Sequence, residues 1–554
     1  MTSSSLVLGP LVRYVGSSDA TFWFEFDAPG TVVVRTDVGA SGHAQTWGVH
    51  GHHYALVALE GLPANSPITY DVQFGEEIVW PEAGKTAAIH TVDEHGPVTL
   101  AFGSCRRGDN YGDESLQRIG ADALAGLGTR MSQQNSSEWP QALLLLGDQV
   151  YADDPSPEIL ERLQARRDAG EGPVSARGTD AESEICDFEE YTWLYHESWG
   201  VEPVRTLLAS VPSCMILDDH DLRDDWNSSA SWRADIETRP WWKDRVVGAF
   251  SSYWVYQHLG NLSPKELADE ELYEAVRTAP TDADREHILA DFSLRIDSVP
   301  DTGRWSFYRD FGNTRLVMID SRCSRRLDPD DRRMVDDVEW AWVRERALES
   351  SPRHLLFGSS LPYLMLPALH HLEQWNEAVA QGSWGKFASK VGEKLRIELD
   401  LEHWAAFGKS FADMATLTRE ISRAPNSPSS IMWLSGDVHC SYVARAEFGV
   451  GGDTPATYQL TMSPFRNPLN LPIRAVNRLA IKNSVARMLS RLARAAKVPS
   501  AGFTWEADAG PWFDNGVMLL TTDGDAARLA VEHAHVDADG TQTLTTTQRM
   551  ILTH

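Results

Sequence analysis

Cysteine is scarce in this sequence, with five in 554 residues: Cys105, Cys186, Cys214, Cys323 and Cys440. They are scattered and none forms a CxxC pair, which excludes a disulfide framework and a zinc ribbon. Positive charge is also short. Lys and Arg number 50 against 79 Asp and Glu, a formal net charge of −29. Such a chain repels phosphate backbones as a whole, which excludes a general nucleic-acid coat protein. It can hold an anion only where metal ions or a local basic patch supply the opposite sign. Long apolar runs are missing too, and no stretch approaches the roughly 18 apolar residues that a membrane-spanning helix needs. The opening MTSSSLVLGPLVRYVG has no basic n-region, apolar core or paired arginines, so the expectation is a cytoplasmic protein with no export signal.

What is present falls into two regimes. Up to about residue 95, TFWFEFDA, GTVVVRTDV, HHYALVALEGL and ITYDVQFG read as short strands, rich in β-branched and aromatic residues and punctuated by turn formers. This spacing predicts a small antiparallel sandwich over residues 1–95. The turn and tyrosine of GLPANSPITYDV resemble those of fibronectin type III domains. No ionisable cluster stands out there, so an accessory domain is expected, with a binding module as the alternative.

From residue 96 the pattern changes. VTLAFGSC, QALLLLGDQVY, SCMILDDHD, NTRLVMIDSR, HLLFGSS and SIMWLSGDVHCSYVA are apolar runs with polar or reactive residues directly behind them. Continuous apolar strands belong to sheets covered on both faces, and open α/β sheets place their sites at the carboxyl ends of strands. Residues 96–554 are therefore read as one large α/β domain with insertions near 155–200 and 226–300. The first insertion is acidic and polar and is expected to be a partly ordered excursion. The second is rich in tryptophan (Trp226, Trp232, Trp241, Trp242, Trp254), either an aromatic wall that buries a helix or a stacking surface for a bulky substrate. Segment 473–497 carries seven basic residues and no acidic one, at the spacing of an amphipathic helix. It could dock on the protein's own acidic surface, close over an anionic substrate, touch a membrane surface or serve a subunit contact.

The strand ends carry the chemistry. Gly147-Asp148-Gln149-Val150-Tyr151 sets a carboxylate and a phenol close together in a turn. Asp437 and His439 are two residues apart, so in an extended segment they share a face. Asp218, Asp219 and Asp221 crowd around His220, which an apolar strand end tolerates only beside a cation or a basic partner. Cys105 adds a possible thiolate. Each motif alone is weak, but all four follow buried-type strands of one domain, and together they predict a metal site.

FGSC, GDQVY, DDHD, IDSR and GDVH, in that order over about 96–465, resemble the alkaline phosphatase D (PhoD-like) family of metallophosphatases and, more distantly, purple acid phosphatases. The resemblance implies a two-sheet β core flanked by helices, preceded by the small all-β domain. It implies Cys105, Asp148, Tyr151 and His439 around a first metal, Asp148 bridging, and Asp219 with Asp437 on a second. Asp218 or Asp221 could exchange roles with Asp219. Thiolate, phenolate and imidazole suit Fe3+ or another transition metal, and the all-oxygen second site suits a divalent ion, Ca2+ first, with Mg2+, Mn2+ or Zn2+ as alternatives. Two positions depart from the pattern: Cys105 stands where a carboxylate or histidine is usual, and Leu217 where an aromatic is usual. No histidine matches the one that purple acid phosphatases carry between the third and last motifs, and His370 and His371 are expected to be structural.

The expected activity is hydrolysis of phosphate monoesters, diesters or both, by a metal-activated water attacking phosphorus in line. His220 would protonate the leaving oxygen. Arg322 would clamp phosphate, with a salt bridge to the acidic motifs as its alternative, and Arg106 and Arg107 are further candidates for that task. Two other readings stay open: a phosphodiesterase confined to large substrates such as phospholipids, teichoic-acid-like polymers or nucleic acids, and a catalytically silent binding protein of the same fold. A phosphate ester is the expected partner, and no stable nucleic-acid partner is expected.

Overall fold

The computed structural model describes residues 5–449, 454–469 and 471–554. Its N-terminal part holds two antiparallel sheets. One runs Leu6–Val15, Asp19–Phe26, His52–Glu60, Trp47–Val49; the other pairs Ser41–Gln45, Thr31–Thr36, Pro67–Phe74 and Glu77–Trp80, with Ala87–His90 added on Pro67–Phe74. Residues alternate between inside and outside along Pro67–Phe74, and Phe26 and Phe74 stack at 4.1 Å in the interior. This is the sandwich that period-two patterning predicts. Tyr70, the fibronectin-like tyrosine, does more than brace its own domain: its hydroxyl donates to the Ala209 carbonyl at 2.6 Å, across to the second regime.

Two large sheets form the rest of the β structure. In the first, Ser213–Ile216, Ala142–Leu146 and Val98–Gly103 are parallel neighbours, continued antiparallel by Gly516–Asp523, Ala526–Val536 and Gln542–Thr553. In the second, Thr314–Ile319, His354–Ser359, Ser430–Ser435 and Ala456–Thr461 are parallel. Leu100, Phe102, Leu143 and Leu145 of one sheet share a core with Leu316, Met318, Leu356 and Leu434 of the other. Their alternate neighbours Val317, Leu355, Phe357 and Ile431 pack under helices Asp337–Leu348 and Gly408–Arg423. Both faces of each strand are covered, which is why these strands read as unbroken apolar runs. Parallel alignment brings their carboxyl ends, and the reactive residues behind them, to one edge.

The insertions differ from expectation in one respect. Residues 155–200 are ordered, with helices Pro157–Asp168 and Phe188–Trp199, the second nearly enclosed. Their acidity is local: the buried Glu190 carboxylate binds Arg166 at 2.6 Å and also Arg167. In the second insertion Trp226, Trp241, Trp242 and Trp254 are buried in the main core and Trp232 packs against it. The aromatic-wall reading holds for these five rings. The basic segment forms two helices, Leu471–Ala480 and Asn483–Ala495, instead of one.

Candidate metal centre

The turns behind the strands have an unusual backbone. Cys105, Asp148, Asp437 and His439 all adopt left-handed φ values, +55°, +49°, +65° and +46°. Each such non-glycine residue costs about 1–3 kcal/mol, and surrounding structure must hold it there. Gly147 makes the turn possible: with φ +102°, a Cβ on it would lie 2.7 Å from Asp218 Cβ. Ser104 locks two turns together by accepting from the Asp437 amide at 2.9 Å. The strain thus aims four side chains at one place.

There they form two groups that share Asp148. Ligand atoms of Cys105, Asp148 and His439 lie within 4.8 Å of one another, and so do those of Asp148, Asp218, Asp219 and Asp437. The Cys105 thiol donates to Asp148 Oδ2 at 3.2 Å. Tyr151 is buried beside them, its hydroxyl accepting from Asn467 Nδ2 at 3.0 Å. Asp148 Oδ1 and Asp218 Oδ2 are buried with no hydrogen-bond partner.

Electrostatics follow from this crowding. Burial, with the nearby Asp437 charge, raises Asp148 to about 6. Asp218 and Asp219 are pushed well above the carboxylate range by burial and by neighbouring carboxylates, although Arg322 opposes it. Burial lowers His439 to about 4, which keeps its imidazole neutral and able to offer a lone pair. Orphaned carboxylate oxygens, a thiol and a neutral imidazole converging in a buried site fit metal cations, which would satisfy the lone pairs and neutralise the repulsion.

Residues 126–464 match the family model for PhoD-like phosphatases. The chain belongs to the PhoD-like phosphatase family. Residues 3–92 match a second model, described only as a domain of unknown function (DUF7800). A solved structure titled "Structure of PhoD" aligns over 100% of this chain and 91% of that one, with TM-score 0.59 and 11% identity; at that identity the likeness shows the fold. Purple acid phosphatase PPD1 from yellow lupin (Lupinus luteus) seeds aligns over 97% of this chain and 74% of that one, with 9% identity and TM-score 0.45. No curated protein matches significantly. A PhoD-like phosphatase is a metallophosphatase, so metal ions are implied, in accord with the clusters found here.

In this PhoD-like phosphatase the six expected ligands, Cys105, Asp148, Tyr151, Asp219, Asp437 and His439, come to one place, and Asp218 joins them. Asp221 does not. Its carboxylate caps the Asp218 amide at 2.9 Å and accepts from Gln257 at 3.1 Å. His220 stands at the rim with Nδ1 2.9 Å from Asp153 and Nε2 3.8 Å from Asp224. Burial alone would lower its pKa, but Asp153 raises it well above the usual value.

The arginines depart from expectation. Arg322 is fully buried and engaged by acids: Asp218, Asp219 at 3.1 Å, Glu402 at 2.6 Å and Asp437 at 3.4 Å. The geometry is that of the salt-bridge alternative and not of a free phosphate clamp. Arg106 is likewise spent, on Asp122 at 2.7 Å and on Ser198, with no exposed surface. Arg107 binds Asp109 at 3.0 Å and Asp154. Desolvating a guanidinium demands such partners, and strand-end position says nothing about them.

Sequence reasoning missed His403. Its Nε2 lies 3.2 Å from Asp437 Oδ2 and its Nδ1 2.7 Å from Glu373 Oε1. His370 instead packs between Phe411 and Trp505 rings, at 4.8 and 4.5 Å, with both nitrogens unpartnered. His403 and Glu402 lie in a loop with no apolar strand before them, so their only signal was an acid-histidine pair ahead of a tryptophan.

Proposed function

We propose that this protein hydrolyses phosphate esters at a two-metal centre. Cys105, Asp148, Tyr151 and His439 would hold one ion, and Asp148, Asp219 and Asp437, with Asp218 alongside, the other. The observation that carries this reading is the sharing of Asp148 between two convergent ligand groups, with its Oδ1 unpartnered. Phenolate and imidazole, with the thiolate, suit Fe3+ or another transition metal, and the carboxylate group suits Ca2+ or another divalent ion. Once bound, such ions supply Lewis acidity toward water and phosphoryl oxygens.

The chain's own groups do the rest. The Glu373–His403–Asp437 relay fixes Asp437, as a hydrogen-bonded histidine commonly fixes a metal ligand. Arg322 offsets the charge of Asp218, Asp219 and Asp437, so that these carboxylates can sit together. Asn467 orients the Tyr151 phenol. His220, its Nδ1 held by Asp153, presents Nε2 at the rim, where it can give a proton to a leaving oxygen.

The test compares wild type with Asp148→Asn on p-nitrophenyl phosphate and bis-p-nitrophenyl phosphate, with Fe3+ and Ca2+ supplied. Wild type should turn over at least one ester, and the variant should lose nearly all of that activity. Silence of wild type toward both esters under every metal supply would overturn the reading. The ratio of the two rates assigns monoester or diester preference.

A further inference from the structure

One flank of the molecule reverses the sign of the rest. Segments 386–398 and 471–497 carry four and seven basic residues against two and no acidic ones, in a chain of net charge −29. Helices Lys386–Glu398 and Asn483–Ala495 both pack on one central helix, Pro367–Ala380. Trp384, just before the first, bonds the Ala495 carbonyl at the end of the second at 3.4 Å. The two basic helices therefore belong to one surface.

That surface is not simply polar. On Lys386–Glu398 the exposed residues are Lys386, Phe387, Lys390, Val391, Lys394 and Glu398, the last paired with Lys394 at 3.4 Å, while Gly392 and Arg396 are buried. On Asn483–Ala495, Met488 and Arg491 point outward, and Ala486 and Ala493 are buried. Phe387 is 83% exposed and Met488 61%. Large apolar side chains left bare among cations contribute nothing to folding. They have the pattern of an interfacial helix, in which apolar groups enter the acyl boundary and Lys and Arg meet anionic headgroups.

We propose that this flank docks the protein on an anionic lipid bilayer. Charge complementarity selects that occupant: a neutral bilayer would use the apolar groups alone, whereas the basic stripes ask for a densely anionic plane. The placement also has a consequence. The central helix carries Glu373, which holds His403 behind Asp437, and Asn467, bonded to Tyr151, lies just before Leu471. One helix thus carries both the docking flank and a support of the metal centre. This goes beyond the catalytic proposal and does not depend on it.

The experiment is co-sedimentation of the full-length protein with vesicles of phosphatidylcholine alone and of phosphatidylcholine with 30 mol% phosphatidylglycerol, at low and high salt. Binding should be confined to anionic vesicles and should weaken with salt. Lys390→Gln and Arg491→Gln should each cost about fivefold in affinity at low salt, and Phe387→Ser with Met488→Ser should weaken it further. All four positions are exposed and lie outside the catalytic machinery, so ester hydrolysis should not change, and circular dichroism melts establish that the variants fold. Equal binding to both vesicle types, no binding to either at low salt, or unchanged binding by the variants would overturn the proposal. So would a dimer in light scattering that these variants dissociate, since the flank would then be a subunit interface.

Discussion

The sandwich and the phosphatase domain meet through a titrating contact that sets how stability depends on pH. Glu25, fully buried in the sandwich, faces His52 Nδ1 at 2.7 Å and His196 Nε2 of helix Phe188–Trp199 at 2.9 Å. His52 Nε2 reaches Glu189 on that same helix at 2.8 Å. Burial alone would lower the His52 pKa, yet hydrogen bonds to Glu189 and Glu25 raise it to about 9. The unfolded value is near 6.5, so the contact is fully formed below pH 6.5 and is lost as pH rises through 9. At about 1.4 kcal/mol per unit this amounts to about 3 kcal/mol well below pH 6.5, about 1 kcal/mol at pH 8 and almost nothing at pH 9.5. Glu189, lowered to about 2, describes the same pair from the acid side, where stability is lost as pH falls from about 4.5 toward 2, so the two shifts are not added. His52→Gln should destabilise the protein at pH 6 and hardly at all at pH 9.5, as read from urea midpoints of both proteins across that range. Parallel midpoint curves for wild type and variant would refute the reasoning.

Two further outcomes follow from the metal centre. His403→Gln removes the imidazole that pairs with Asp437 while leaving every ligand in place, and should weaken metal retention by about 10- to 100-fold, measured as metal content after graded chelation; unchanged retention would remove His403 from the relay. Gly147→Ala should destabilise by at least about 1 kcal/mol, because its φ is +102° and the new Cβ would meet Asp218 Cβ at 2.7 Å; thermal unfolding reads this directly, and an unchanged melt would contradict the turn geometry.

Much of the fold could be read without coordinates. The strands Ala142–Leu146 and Ser430–Ser435 announce themselves because burial on both faces requires an unbroken apolar run, and Pro67–Phe74 because burial on one face requires alternation. The six expected ligands were legible for the same reason, since each follows such a strand or its turn. His403 and Glu402 follow none, and they reach the cluster only because the chain between strands His354–Ser359 and Ser430–Ser435 folds back over the sheet edge. The tryptophans of the second insertion were visible as a group, but nothing local said whether they would face the core or a substrate.

Local pattern in the chain specifies the strands, their division into a sandwich and a larger α/β domain, and a row of candidate metal ligands directly behind the strands. These depend on residues close together in the chain, where hydrophobic period and turn chemistry act directly. Tertiary structure decided which charges neutralise which. Arg322 is bound to Asp218, Glu402 and Asp437 from three separate segments, and Arg106 to Asp122. The left-handed backbone at Cys105, Asp148, Asp437 and His439 is likewise held by groups the fold brings in, among them the Ser104 and Ser463 hydroxyls that accept from the Asp437 and His439 amides. A buried charge takes whatever partner the assembled fold brings within reach, because leaving it unpaired costs more than any local preference can offset.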